Sequence, residues 1–239
     1  GLASACRRHG PTSWEVHNLV AMPDEEEVCA ELLEVLASYA GERGAERLFL
    51  RLPEEWRLVE LARRSGFFPC TQIAAFALVG RAALVGATPI QQYRERLPED
   101  QLTLFRIYGA ATPAEVRAGT GLTLQQWSDA QEPEGRRTAE FVIEQGPCLR
   151  AWVRLASHGK RVRVQTMTDP AWEGDLRDLV AFVLEQAGPR RLLWEVPAYQ
   201  ESLRLTLDRV GFQALTTYQL MVKSLAVRIK EPGMAPVSA

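Results

Sequence analysis

Residues 191–212 read R-L-L-W-E-V-P-A-Y-Q-E-S-L-R-L-T-L-D-R-V-G-F. The order is a short buried strand, a loop opened by Pro197, an amphipathic helix and a closing Gly211-Phe212. A near copy stands at 47–67, R-L-F-L-R-L-P-E-E-W-R-L-V-E-L-A-R-R-S-G-F. Pro53 precedes Pro197 by 144 residues and Gly66-Phe67 precede Gly211-Phe212 by 145, so the copies differ by one loop residue. The elements flanking each copy also correspond. The chain is an internal duplication.

Outward from the first copy, residues 1–12 have no periodicity and read as a loose lead-in. A strand is predicted over 14–22. Asp24 and Glu27 form a capping-box-like pair for a helix with Val28, Leu32, Val35, Leu36 and Tyr39 inward. A strand over 47–52, a helix over 54–65 with Leu58, Leu61, Ala62 and Ser65 inward, and a strand over 71–79 follow. Residues 80–99 read as a linker with a short helix at 91–96. Residues 102–108, L-T-L-F-R-I-Y, alternate as a strand would. Thr112-Pro113 opens a short helix and 123–130 form another, with E-P-E-G as a turn. Three antiparallel strands are expected at 138–144, 149–157 and 161–168, the last two joined by a tight turn at His158-Gly159-Lys160. Asp169-Pro170 starts a helix with Leu176, Leu179, Val180, Val183 and Leu184 inward. The second copy and a strand over 214–225 close the series. The division is 1–84, a linker at 85–100, 101–227, and a disordered tail at 228–239.

A length of 239 residues admits two modest domains, and 46% hydrophobic with 24% charged residues is an ordinary globular composition. The net charge of −2 gives no support to a nucleic-acid or polybasic membrane partner. No apolar run is long enough to span a bilayer, and the N-terminus lacks a signal peptide's apolar core. Cys6, Cys29, Cys70 and Cys148 lie far apart without metal-ligand spacing and read as plain thiols. A cytoplasmic, metal-free protein is the expectation.

The element order and V-P-A-Y-Q-E-S-L-R-L-T-L-D-R-V-G-F resemble the GNAT (N-acetyltransferase) superfamily, in tandem. The resemblance covers about 102–227 in the second unit and 14–79 in an abbreviated first unit. It implies an α/β fold of mixed sheets flanked by helices. It also implies acetyl-CoA as cofactor, an amine substrate, and a homodimer as one assembly. In this family the sheet splays between two parallel strands and the pantetheine arm enters the gap. Here the gaps fall between 14–22 and 47–52, and between 161–168 and 191–196. The resemblance thus makes Val164, Thr166, Met167 and Gly174 the cofactor-binding candidates.

The chain departs from the family where the pyrophosphate should rest. Free N–H groups at a helix start favour an anion, and glycines allow it close. The first unit instead places P-D-E-E-E-V there and the second T-D-P-A-W-E-G-D-L, whose carboxylates oppose a phosphate. The Tyr that many relatives place four residues before the Gly-Phe glycine is Ala62 in one unit and Leu207 in the other, and neither can protonate a thiolate. Glu15 and His17 share one face of a splay strand and are the candidate catalytic bases; the plainer reading is a solvent- or interface-facing strand side. Trp127 and Trp194 read as core anchors, and Trp56 and Trp172 as inter-domain packing, with a cleft plug or a stacking surface for a flat ligand as the alternatives. Two functions stand: a GNAT-like protein with lost or weak acyl transfer that binds a ligand or partner, and an active N-acyltransferase with atypical cofactor contacts.

Overall fold

The computed structural model describes residues 1–22, 26–54, 56–78, 92–133, 137–146 and 148–226, apart from the side chains of 26, 56 and 158. In chain order the first half has β1 (Leu2–Arg7), β2 (Ser13–Val20), α1 (Glu26–Glu42), β3 (Arg47–Pro53), α2 (Trp56–Arg64) and β4 (Phe68–Leu78). Then come β5 (Tyr93–Glu95), a 3-10 turn (Pro98–Asp100), α3 (Gln101–Ala111), α4 (Ala114–Thr120) and α5 (Leu124–Asp129). The series ends with β6 (Thr138–Gln145), β7 (Cys148–His158), β8 (Arg161–Thr168), α6 (Leu176–Ala187), β9 (Arg191–Pro197), α7 (Glu201–Arg209) and β10 (Phe212–Ser224).

The ten strands among the described residues form one mixed sheet in the order β1-β2-β3-β10-β4-β9-β8-β7-β6-β5. The last strands of the two copies are exchanged: β10 lies between β3 and β4, and β4 between β10 and β9. The register carries the duplication to single residues. Ile73 faces Tyr218 at the centre, a spacing of 145, and every pair from Gln213↔Ala77 to Phe68↔Val222 has its mate on the other side. Phe68↔Val222 matches Gln213↔Ala77, and Thr71↔Leu220 matches Thr216↔Ala75. A pseudo-twofold axis therefore passes through the sheet at Ile73 and Tyr218.

One sheet face carries α1, α2, α6 and α7, and the other carries α3, α4 and α5. Alternation along the strands divides the core accordingly: Val153 and Leu155 of β7 pack with α6 and α7, whereas Trp152 packs with α3 and α5. Near the axis Met221 joins the α1–α2 core, while Leu220 and Val222 face the other side with Phe49, Ile73 and Ala130. The Gly-Phe motif now has a mechanical reason. Gly66 (φ 79°) and Gly211 (φ 100°) turn the chain out of α2 and α7 in a left-handed conformation. The phenylalanines that follow, Phe67 and Phe212, are fully buried.

Several expectations are corrected. Residues 102–108 lie in helix α3, whose buried Leu104, Ile107 and Tyr108 follow helical spacing; the alternation was incidental. Tyr93–Glu95 is a strand, not a helix: Tyr93 stacks on Phe182 at 3.7 Å and donates to Asp178 at 3.1 Å, which holds the segment at the sheet edge. The N-terminal segment is not loose, because Leu2–Arg7 pairs with β2 as the counterpart of β7 beside β8. Helix α1 buries Leu33, Ala37 and Ala40, one residue round from the expected face, leaving Val35 and Tyr39 exposed; the small alanines permit close packing on the sheet. Asp169-Pro170 forms a turn, and α6 begins at Leu176 with Asp175 as its N-cap. The proposed Asp24 cap, the linker at 80–91, residues 134–136 of the E-P-E-G turn and the tail at 228–239 lie outside the described residues.

Candidate functional site

Both splays are present. The β8/β9 pairing starts at Arg161↔Arg191 and ends at Val164↔Trp194, and the β2/β3 pairing runs only from Ser13↔Arg47 to Glu15↔Phe49. Beyond these points the parallel strands are not bonded to each other. On the α3–α5 side the second splay opens into a cleft of about 930 Å³, counted to its open mouth. Gln165, Thr166 and Met167 come from β8, Glu195 and Pro197 from β9, and Tyr199 and Gln200 from the loop after it. Tyr108, Val116, Trp127 and Trp152 form the apolar wall, and Arg8, Arg51 and Glu132 line a charged end.

The charged end follows from the duplication. Glu15 faces Phe49 with Arg51 two residues further along β3; Arg163 faces Leu193 with Glu195 two residues further along β9. The two units thus hold ion pairs of reversed sign at equivalent positions: Arg51–Glu15 at 2.8 Å and Arg163–Glu195 at 2.6 Å. Glu132, from the segment after α5, bridges them by pairing with Arg51 and with Arg163 at 2.5 Å. Arg8 adds a pair to Glu15 at 3.0 Å and lies 4.6 Å over the Phe49 ring. Three arginines and three glutamates therefore close on one another without excess charge. Burial alone would raise the Glu132 carboxyl, but Arg51, Arg163 and Arg8 hold it down at about 2. Burial raises the Tyr199 hydroxyl, and it raises that of Tyr108 to about 12 while Thr120 bonds to it at 2.6 Å.

The residues singled out by sequence are placed as follows. Thr166 and Met167 line the cleft, and Val164 is fully buried where the strand pairing ends. The Thr166 carbonyl, on the edge freed by the splay, accepts Gln200 Nε2 at 2.9 Å. Glu15 has one carboxylate oxygen on Arg8 and the other on Arg51, so both oxygens are held in ion pairs. His17 is exposed and is the extra residue of a bulge, since Ala5 faces Val16 and Ser4 faces Asn18. It does not line the cleft. Ala62 and Leu207 are fully buried apolar residues, and Trp127 and Trp194 are core residues. Among the described residues no group of side chains could hold a metal ion, and no helix is long and apolar enough to cross a membrane.

A phosphate cradle needs free N–H groups and open space at the start of α6. Gly174 does not provide that space: a Cβ added to it would lie 2.1 Å from Trp172 Cε2, so the indole already fills the near side of the glycine. Trp172 is buried in the α6–α7 core. Asp169 Oδ1 accepts the Ala171 N–H at 2.9 Å, Asp175 Oδ1 accepts the Arg177 N–H at 2.8 Å, and Arg150 holds the other Asp169 oxygen at 2.8 Å. Hydrogen bonds from Arg177 lower the Asp175 carboxyl, so it is an anion there. The residues present do not fit the pyrophosphate of acetyl-CoA in the second unit. Arg8, Arg51, Glu132, Glu195 and Gln200 were not foreseen. One signal was available: two residues before the shared proline, one copy has Arg51 and the other Glu195.

Comparison with protein-family models and with curated proteins finds no match. Solved structures do match. A functionally unknown conserved protein from Staphylococcus epidermidis is 11% identical, with TM-score 0.61 over 90% of this chain and 88% of that one. A GCN5-related N-acetyltransferase from Sphaerobacter thermophilus is 15% identical, with TM-score 0.59 over 93% and 76%. A tandem GNAT protein from the clavulanic acid biosynthesis pathway is 12% identical, with TM-score 0.55 over 89% and 75%. The chain has the GNAT acetyltransferase fold.

Proposed function

We propose that this chain is a GNAT-fold protein that has given up acyl-CoA-dependent transfer and uses the second splay to bind a small ligand. The observation that carries the reading is the filled start of α6, where Trp172 and Asp175 occupy the space and an N–H group that a pyrophosphate would need. Two further features support it. Gln200 takes the Thr166 carbonyl that an extended ligand arm would meet in the splay. Leu207 and Ala62 stand where a proton donor to a leaving thiolate is expected, and both are sealed from solvent. What remains is a cleft with an aromatic wall, suited to a flat or apolar ligand body.

A second reading keeps acyl transfer to an amine, with Glu15 or His17 as base. It is favoured by the intact splays and by Trp172 Nε1, a buried donor without a partner beside Gly174. Thiol release from acetyl-CoA in the presence of mixed primary amines separates the two. The binding reading expects no release above the uncatalysed rate. Turnover that disappears in Glu15→Gln or His17→Gln would establish the second reading instead.

A further inference from the structure

Beside the cleft, across Trp127 and Trp152, lies a smaller cavity of about 370 Å³ counted to its open mouth. Among the described residues that line it, two arginines face one carboxylate. Arg96 and Arg154 share the single carboxylate of Glu140, at 3.1 Å and 3.6 Å. That carboxylate also accepts Trp152 Nε1 at 3.0 Å. Arg154 is 3% exposed, and its other bond is to a neutral group, the Glu132 carbonyl at 3.0 Å. The Glu132 carboxylate is committed to Arg51 and Arg163. Arg96 Nε is buried without a partner. Ser128 accepts Gln101 Nε2 at 3.2 Å, so its own hydroxyl hydrogen is left to donate. A buried guanidinium short of counter-charge is costly, because its desolvation is not offset.

We propose that this cavity binds a small monocarboxylate. Its charged end meets Arg96, Arg154 and Ser128, and its apolar end rests on Leu104, Trp127 and Trp152, which line the same cavity. Among the arginines and the glutamate that line the cavity the excess is one positive charge, which a monoanion cancels and a phosphate dianion would overshoot. The Asp100 carboxylate, which also acts on Arg96, is held by Arg94 through both of its oxygens. The guanidinium fork and the aromatic wall favour a carboxylate with a short hydrocarbon part over a bare inorganic ion.

The test uses the whole chain, with thermal unfolding followed in sodium butyrate, sodium chloride, sodium phosphate and butanol at matched ionic strength. Butyrate should raise the unfolding temperature saturably, and chloride and butanol should not. Arg96→Gln leaves Arg154 and Glu140 as a matched pair, so it should fold normally and weaken butyrate by about tenfold or more. Glu140→Gln raises the excess to two charges and should tighten butyrate, which keeps the proposal testable if Arg96→Gln folds poorly. Stabilisation by chloride or butanol equal to that by butyrate would overturn the proposal. So would tighter binding of phosphate than of butyrate, or an unchanged butyrate response in both variants.

Discussion

Glu132 is the residue on which the charges of both units converge, and its replacement has a defined pH signature. The unfolded carboxyl titrates near 4.5 and the folded one near 2. A depressed folded value means stabilisation that is complete above about pH 4.5 and fades as pH falls toward 2. Its size is on the order of 3 kcal/mol. Glu132→Gln should therefore lose that amount at pH 7 and show a flatter acid limb in urea unfolding between pH 5 and 2.5. Parallel limbs for the two proteins would place the charge coupling elsewhere. Gly174→Ala forces the Trp172 indole to move, and should destabilise by about 1–3 kcal/mol in the same assay. No loss would mean that the indole has other room.

At the scale of elements, the strand–helix–Gly-Phe unit is held by the aromatic ring that follows the left-handed glycine. Phe67→Ala and Phe212→Ala each empty a fully buried site and should each cost about 3–5 kcal/mol by denaturant unfolding. This unit was legible in sequence because proline, glycine and the apolar periods all punctuate it. The three strands at 138–168 were legible for the same reason. Helix α3 was not: L-T-L-F-R-I-Y satisfies a period of two and a period of 3.6 over seven residues, and only packing against Trp127 and Met167 decides between them. Strand β1 was missed because a short edge strand with Ala, Ser and Cys has no strong period of its own. The splay strands could be named from resemblance. The ion network could not, because Arg8 and Glu132 reach it from segments without regular structure, 124 residues apart.

For the whole molecule, the exchange of β4 and β10 binds the two halves more tightly than a linker would. β3 is bonded to β10 over seven residue pairs and to β2 over three, so most of its ladder comes from the far end of the chain. A fragment of residues 1–84 lacks that partner and leaves the edges of β3 and β4 bare. It should fail to give dispersed amide resonances alone and gain them on mixing with 85–239. A fragment that folds by itself would show that the exchanged strands are dispensable. The same duplication that yields the fold also sets one ion pair on each pair of splay strands, Arg51–Glu15 and Arg163–Glu195.

On the reading proposed above, the chain keeps the fold while Trp172 and Asp175 fill the place of the cofactor's phosphates. Titration calorimetry with acetyl-CoA measures this most directly. With that place filled, no heat of binding is expected at millimolar cofactor. A dissociation constant of micromolar order would contradict it.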